Sequence, residues 1–268
     1  MNQKVLLFFI PHPSSLNIMS WQLRVSHLVL PKDGAAEAEC EDAVGVNAAA
    51  ARFAVADGAT EAFDASSWAR RLAEVWVATE PPVLTGAAFG AWVAEQGAAL
   101  HATWEGRQLS WYAEEKMRRG SFAAFVGVQF EFAAAVARWT CVALGDSCLI
   151  QRRGALVSVA LPLDDPARFT TSPVLVPSRG ELHENALAQT RIEQGTCEQG
   201  DVLWLLSDAA AEWFLRRAAA RDAALDELDE LLASDRAGAA VALFQRERRA
   251  RRIKDDDVAI VRVQLLAR

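Results

Sequence analysis

The spacing of apolar positions changes several times along this chain, and each change predicts an element. Residues 52–56 form a short apolar strand that ends at Asp57. From about Asp64 the spacing turns helical: Trp68, Leu72, Val75 and Trp76 fall at i, i+4, i+7 and i+8, one buried face. A second helical pattern follows Pro82 and carries Phe89, Trp92, Val93, Leu100 and Trp104, aromatics that read as core. Between Ser121 and Ala160 the runs "SFAAFVGVQF", "AAAVARWTCVAL", "CLIQRR" and "ALVSVAL" follow one another with no helix between them, which predicts an antiparallel meander and not a βαβ succession. Pro162, Pro166, Pro173 and Pro177 then break the periodicity, so residues 161–195 read as a long irregular flap. "DVLWLLSD" restores a buried strand, helical patterns run from about Ala209 to Arg249, and "DVAIVRVQLL" closes the chain as a strand. The order predicts sheets covered by helices on the outside. At the other end, "SWQLRVSHLVL" is the first convincing strand, so residues 1–19 read as an N-terminal extension and 20–268 as the domain.

Length and composition narrow the classes. A chain of 268 residues with 52% hydrophobic positions can bury one large core. The early apolar run Val5 to Ile10 is short for a membrane span or a signal peptide, which points to a soluble, cytoplasmic protein with no membrane partner. Cys40, Cys141, Cys148 and Cys197 show no CxxC spacing, and no two histidines pair at helical spacing, so the expectation is reduced thiols and no structural zinc. A net charge of −7 argues against nucleic acid as the main partner. The exception is the basic run Arg246 to Lys254, which reads as the solvated end of a helix facing the acidic "DELDELLASD".

The chemistry lies in where the acids fall. Apolar strands run directly into Asp57, Asp146 and Asp208; "KDDD" (Asp255 to Asp257) precedes the last strand, and "ECEDA" places Glu41 and Asp42 early in the chain. Singly, each is an ordinary turn or helix cap. Together, strand ends gather along common edges, and several carboxylates brought together repel one another unless a cation intervenes. Oxygen donors without His or Cys favour magnesium, manganese or calcium. A set large enough for paired ions suits water activation and phosphate-ester hydrolysis.

In this order, "ECEDA", "VADGAT", "GSFAAFVGV", "VALGDSCLI", "GDVLWLLSDA" and "KDDDVAIVRV" resemble the motifs of the PP2C-like (PPM) metal-dependent serine/threonine phosphatases, bacterial type, over about Val25 to Leu265. The resemblance implies an α+β fold, a four-layer αββα sandwich of two antiparallel sheets between helix pairs. It implies two manganese or magnesium ions in a cleft at one edge, with a third, weaker site. Asp57 matches the aspartate that bridges both ions, and Gly58 the glycine whose carbonyl is a ligand. Glu41 and Asp42 match the acidic pair that binds one ion, Asp208 and Asp256 the aspartates on the other, and Asp146 the "GDS" aspartate of the third site. Implied partners are phosphorylated proteins and a serine/threonine kinase or its targets.

The chain also departs from that pattern. Four residues before the acidic pair, where the family often has a phosphate-binding arginine, stands Glu37; Lys32, Arg179, Arg191 or the basic run are the candidates to replace it. Ala59 stands where many eukaryotic members have a histidine, which leaves protonation of the leaving group to metal-bound water. Ala209 replaces a glycine, Asp257 an asparagine and Ala259 a threonine; Asp255, Asp256 and Asp257 compete for one ligand role, with Asp256 favoured. These departures motivate a second reading, a metal-binding but catalytically weak module that recognises a phosphoprotein or signalling partner.

Overall fold

The computed structural model describes residues 6–9, 21–80, 82–133, 136–234 and 236–267. The first half runs β1 (Leu6–Phe9), β2 (Trp21–Leu30), β3 (Asp42–Asn47), β4 (Arg52–Gly58), α1 (Ala65–Ala78), α2 (Gly86–Ala102), α3 (Trp111–Arg119), β5 (Phe122–Phe132) and β6 (Ala137–Leu144). The second half runs β7 (Cys148–Arg153), β8 (Leu156–Leu161), β9 (Val176–Pro177), α4 (His183–Leu187), β10 (Arg191–Cys197), β11 (Val202–Leu206), α5 (Asp208–Ala220), α6 (Ala224–Ala233), α7 (Ala237–Arg249) and β12 (Val258–Ala267).

Two antiparallel sheets form, one in the order β1-β2-β12-β11-β7-β8, the other β10-β6-β5-β4-β3 with β9 beside β5. Their inner faces pack on each other: Leu23, Val25, Val261, Val263, Leu203 and Leu205 of the first sheet meet Phe53, Val55, Val126, Val128 and Trp139 of the second. The outer face of the second sheet, with Ala54, Ala56 and Phe125, lies under Trp68, Leu72 and Trp76 of α1 and Phe89 and Trp92 of α2. The outer face of the first, with Trp204, Leu206 and Ile260, lies under Trp213 and Phe214 of α5, Leu228 of α6 and Phe244 of α7. This is a four-layer αββα sandwich. Because the inner strands are buried on both faces, they read in sequence as unbroken apolar runs, not as alternations.

Small residues let α1 sit close to its sheet. A Cβ on Gly45 of β3 would lie 2.0 Å from the Ala73 carbonyl oxygen of α1, so any side chain there must push the helix away. Gly45→Ala is expected to cost about 1–3 kcal/mol, read as a lower urea midpoint at unchanged m; an unchanged midpoint would show that α1 shifts freely.

Three expectations need correction. The predicted meander is divided between the sheets: β5 and β6 pair in one, β7 and β8 in the other, and the chain crosses between them at Gly145 to Ser147. Alternation records burial but not which sheet a strand joins. The irregular segment is also shorter than 161–195, because Arg191–Cys197 forms β10, an edge strand on β6. Its side chains are mostly exposed or half-buried and polar, which hid it. Finally, α3 was not anticipated: none of its side chains is fully buried, Met117 packs half-buried against the core, and Ser110 caps it by accepting from the Ala113 amide at 3.4 Å.

Of the proposed N-terminal extension, Leu6–Phe9 pairs antiparallel with β2, and residues 1–5 and 10–19 lie outside the described residues. The four cysteines are buried and free. Among the described residues no helix is long and apolar enough to cross a membrane. In the basic run, Arg246 pairs with Glu227 of α6 at 2.7 Å and Arg252 with Glu247 at 2.6 Å.

Candidate metal centre

Strand register brings the acids to one edge of the sandwich. In the second sheet Asp42, which opens β3, stands opposite Asp57, near the end of β4. The end of β4 pairs with the start of β5, Gly58 opposite Ala123, and the start of β5 pairs with the end of β6, Phe125 opposite Leu144. Asp146 follows two residues later in the crossing to the other sheet. There the end of β11 lies between the starts of β7 and β12, Leu206 opposite both Cys148 and Ile260. Asp208 opens α5 just beyond β11, and Asp255 to Asp257 lead into β12. Antiparallel pairing thus collects strand ends that are up to about 200 residues apart in the chain.

Two glycines carry the backbone through tight places at this edge. A Cβ on Gly58 would come within 2.8 Å of the Ala65 carbonyl oxygen and 2.9 Å of that of Glu41, so the chain after Asp57 threads between α1 and the early acidic pair. Gly145 turns with φ +106°, a conformation L side chains rarely adopt, and a Cβ there would strike Ala124.

The carboxylates oppose one another. Burial pushes the Asp57 carboxyl well above the usual range, and Asp42, Asp208, Asp146 and Asp256 push it further. Asp42 is raised by burial and then by Asp257, Asp208 and Asp256, against a hydrogen bond from Ser207. Its Oδ2 is buried without a hydrogen-bond partner. Asp146 is pushed up to about 7 by burial and by Asp208. Asp256 is raised by burial and Asp208, and Glu41 by burial, although the Thr60 hydroxyl donates to Glu41 Oε2 at 2.6 Å.

The three consecutive aspartates have separate roles. Asp257 is buried and accepts the backbone amides of Lys32 at 2.8 Å and Glu41 at 2.7 Å, one with each oxygen. Asp255 accepts the Asp33 amide at 2.9 Å. Among the described residues Asp256 accepts the amide of Asp257 at 3.0 Å; its charge acts on Asp42, Asp57 and Asp146, while that of Asp257 acts on Asp42 more strongly still.

Two cations reach the cluster. Lys254 places its Nζ 3.2 Å from Asp208 Oδ2 and 3.5 Å from Glu212 Oε2; burial lowers its pKa, but these two acids outweigh that and hold it protonated. Lys32 acts on Glu41 and Asp256. Sequence reasoning took Lys254 only as the end of the basic run and did not assign Ser207 or Thr60; each lies within a motif already singled out ("KDDD", "SDA", "VADGAT"), but only side-chain geometry gives it a role.

Among the described residues no three His, Cys, Asp or Glu side chains are placed as a group that could hold a metal ion. The donor set nonetheless fits a divalent cation. It consists of carboxylate oxygens; lysines act on Glu41, Asp146, Asp208 and Asp256, while the charged groups acting on Asp42 and Asp57 are other acids, and the set includes the orphaned Asp42 Oδ2. Such a set suits magnesium or manganese better than zinc.

No protein-family model matches the chain, and no curated protein matches its sequence. Solved structures do. The serine/threonine phosphatase PstP/Ppp of Mycobacterium tuberculosis superposes with a TM-score of 0.60 at 19% identity, covering 91% of this chain and 99% of that one. The catalytic domain of PstP in complex with two manganese ions gives 0.59 at 19% identity, over 92% and 99%. The photosystem II phosphatase PBCP gives 0.57 at 17% identity, over 90% and 98%. The fold is PP2C-like.

Seen within the PP2C-like fold, the departures acquire places. Glu37 lies exposed in a short turn, Glu37–Glu39. Ala59 is half-buried, and its amide donates to the Phe122 carbonyl at 2.9 Å. Arg179 donates to the Met117 carbonyl at 2.9 Å, on the α3 side. Arg191 and Arg168 line a cavity of about 560 Å³ whose wall includes Asp146.

Proposed function

We propose that this protein is a metal-dependent phosphatase that hydrolyses phosphoserine and phosphothreonine on proteins. The observation that carries it is the convergence of Asp42, Asp57, Asp146, Asp208 and Asp256 at one sandwich edge, where burial and mutual repulsion raise the Asp42, Asp57, Asp146 and Asp256 carboxyls. Glu41, Asp42, Asp57, the Gly58 carbonyl, Asp208 and Asp256 would hold two manganese or magnesium ions, and Asp146 a third. Bound there, the ions would supply an activated water for in-line attack and offset charge developing on the phosphoryl oxygens.

The chain's own residues have limited parts. Burial pushes the thiols of Cys40, Cys141, Cys148 and Cys197 far up, so none offers a thiolate nucleophile. Ala59 can deliver no proton to a leaving group. Ser207 steadies Asp42 and ties the two strands, since its hydroxyl accepts the Ala259 amide at 2.9 Å. Phosphoproteins, with a serine/threonine kinase or its targets, are the partners that the family resemblance implies for this reading.

The reading is tested by hydrolysis of a phosphothreonine peptide with manganese, with and without chelator. Turnover that the chelator abolishes and fresh manganese restores is expected; turnover indifferent to chelator would overturn the metal mechanism. A second reading, a binding module of weak activity, is favoured by one observation: the Lys254 ammonium already neutralises Asp208. Manganese binding by calorimetry without turnover is its signature.

A further inference from the structure

The missing arginine leaves the substrate phosphate without an evident cation, and the structure narrows the replacements. Arg179 is spent on the Met117 carbonyl. In the basic run, Arg246 and Arg252 pair with glutamates, and Arg248 donates to the backbone carbonyls of Pro31 and Asp256. Lys254 is paired with Asp208 and Glu212.

Lys32 is different. Its backbone is fastened from two sides: Asp257 bridges the amides of Lys32 and Glu41, and Arg248 bridges the carbonyls of Pro31 and Asp256. Residue 32 is therefore held between Glu41 and Asp256, two of the acids of the candidate metal centre. The position is half-buried, and the Lys32 ammonium makes no hydrogen bond or ion pair among the described residues. Its charge nevertheless acts on both Glu41 and Asp256. A lysine used only to neutralise those acids would close on one of them, as Lys254 does on Asp208. An ammonium held beside a carboxylate cluster but unpaired can take an incoming anion.

We propose that Lys32 binds the phosphoryl group of the substrate, the role for which position 37 carries the wrong charge. The ligand class is a phosphomonoester dianion, and the proposal rests on the phosphatase reading of the same cleft. Lys32 would donate to a phosphoryl oxygen while the backbone amide of the same residue stays on Asp257. The Asp257 and Arg248 bridges act as positioning groups that fix where the ammonium can reach.

The test compares wild type, Lys32→Ala, Lys32→Arg and Arg191→Ala. Each is titrated by calorimetry with magnesium, then with inorganic phosphate in saturating magnesium, and assayed for KM and kcat on a phosphothreonine peptide. Lys32→Ala is expected to weaken phosphate binding and raise KM by about 10- to 100-fold, the loss of one charge-assisted hydrogen bond. Lys32→Arg should restore most of it, and magnesium affinity should be unchanged or slightly tighter in both. Equal phosphate affinity in wild type and Lys32→Ala, with magnesium binding intact, overturns the proposal. So does a loss confined to Arg191→Ala, or a wild type that binds magnesium but no phosphate. A wild type that binds phosphate through Lys32 yet hydrolyses nothing would sustain this inference while removing the catalytic reading.

Discussion

Asp57→Asn is expected to lose at least about 1,000-fold in kcat/KM on a phosphothreonine peptide, while its metal-free form melts above the metal-free wild type. The two effects share a cause. Asp57 opposes Asp42 across β3 and β4 and is surrounded by Asp208, Asp146 and Asp256, so its charge destabilises the metal-free fold. Asparagine keeps the shape and removes the charge, relieving on the order of 1–3 kcal/mol of repulsion and desolvation while removing a donor that the proposed function assigns to the metal ions. An aspartate kept for structure alone would give the reverse, lower stability with activity preserved. The measurements are steady-state kinetics in manganese and thermal unfolding in chelator. Activity within tenfold of wild type, or a metal-free variant that melts lower, would remove Asp57 from the centre.

The second large effect is a pH dependence that metal reverses. Asp146 is held at about 7 in the folded chain, against about 3.9 when unfolded. Between these values the folded chain keeps a proton that the unfolded chain has lost. Its contribution to stability is therefore fully present below about pH 4 and is lost as pH rises through about 7. For this one carboxyl the loss approaches ~4 kcal/mol, and Asp42 and Asp57 shift in the same direction. A divalent cation prefers the deprotonated acids, so the rise in Tm on adding manganese should be larger near about pH 7.5 than near about pH 5. Asp146→Asn should flatten the slope seen in chelator. Equal manganese-induced shifts at both pH values would mean that these carboxyls do not face a common cation.

Much of this arrangement is legible along the chain. The run into Asp57 and "VLWLLSD" identify strands buried on both faces, and the acid at each end marks where that burial stops. Helix α1 is legible because Trp68, Leu72 and Trp76 repeat at helical spacing over a sheet face. Helix α3 is not, because it is short, nine residues, and only Met117 of its large apolar side chains packs against the core. Strand β10 is not, because an edge strand that exposes polar side chains resembles a loop. Within "KDDD" three identical side chains stand in a row, and nothing local distinguishes them. Asp257 is the one drawn onto the amides of Lys32 and Glu41, partners 225 and 216 residues away.

Apolar runs and helical spacing along the chain thus predict sheets covered by helices and show which strands end in acids, because burial on both faces leaves an unbroken run and burial on one helix face a repeat; the four-layer arrangement is what the family resemblance implies. The tertiary structure alone settles which carboxylates face one another, which are spent on backbone amides, and that Lys254 is paired while the Lys32 ammonium has no partner among the described residues. Those outcomes depend on contacts between segments that meet only when antiparallel register brings their ends to one edge. Hydrophobic periodicity carries no information about such contacts.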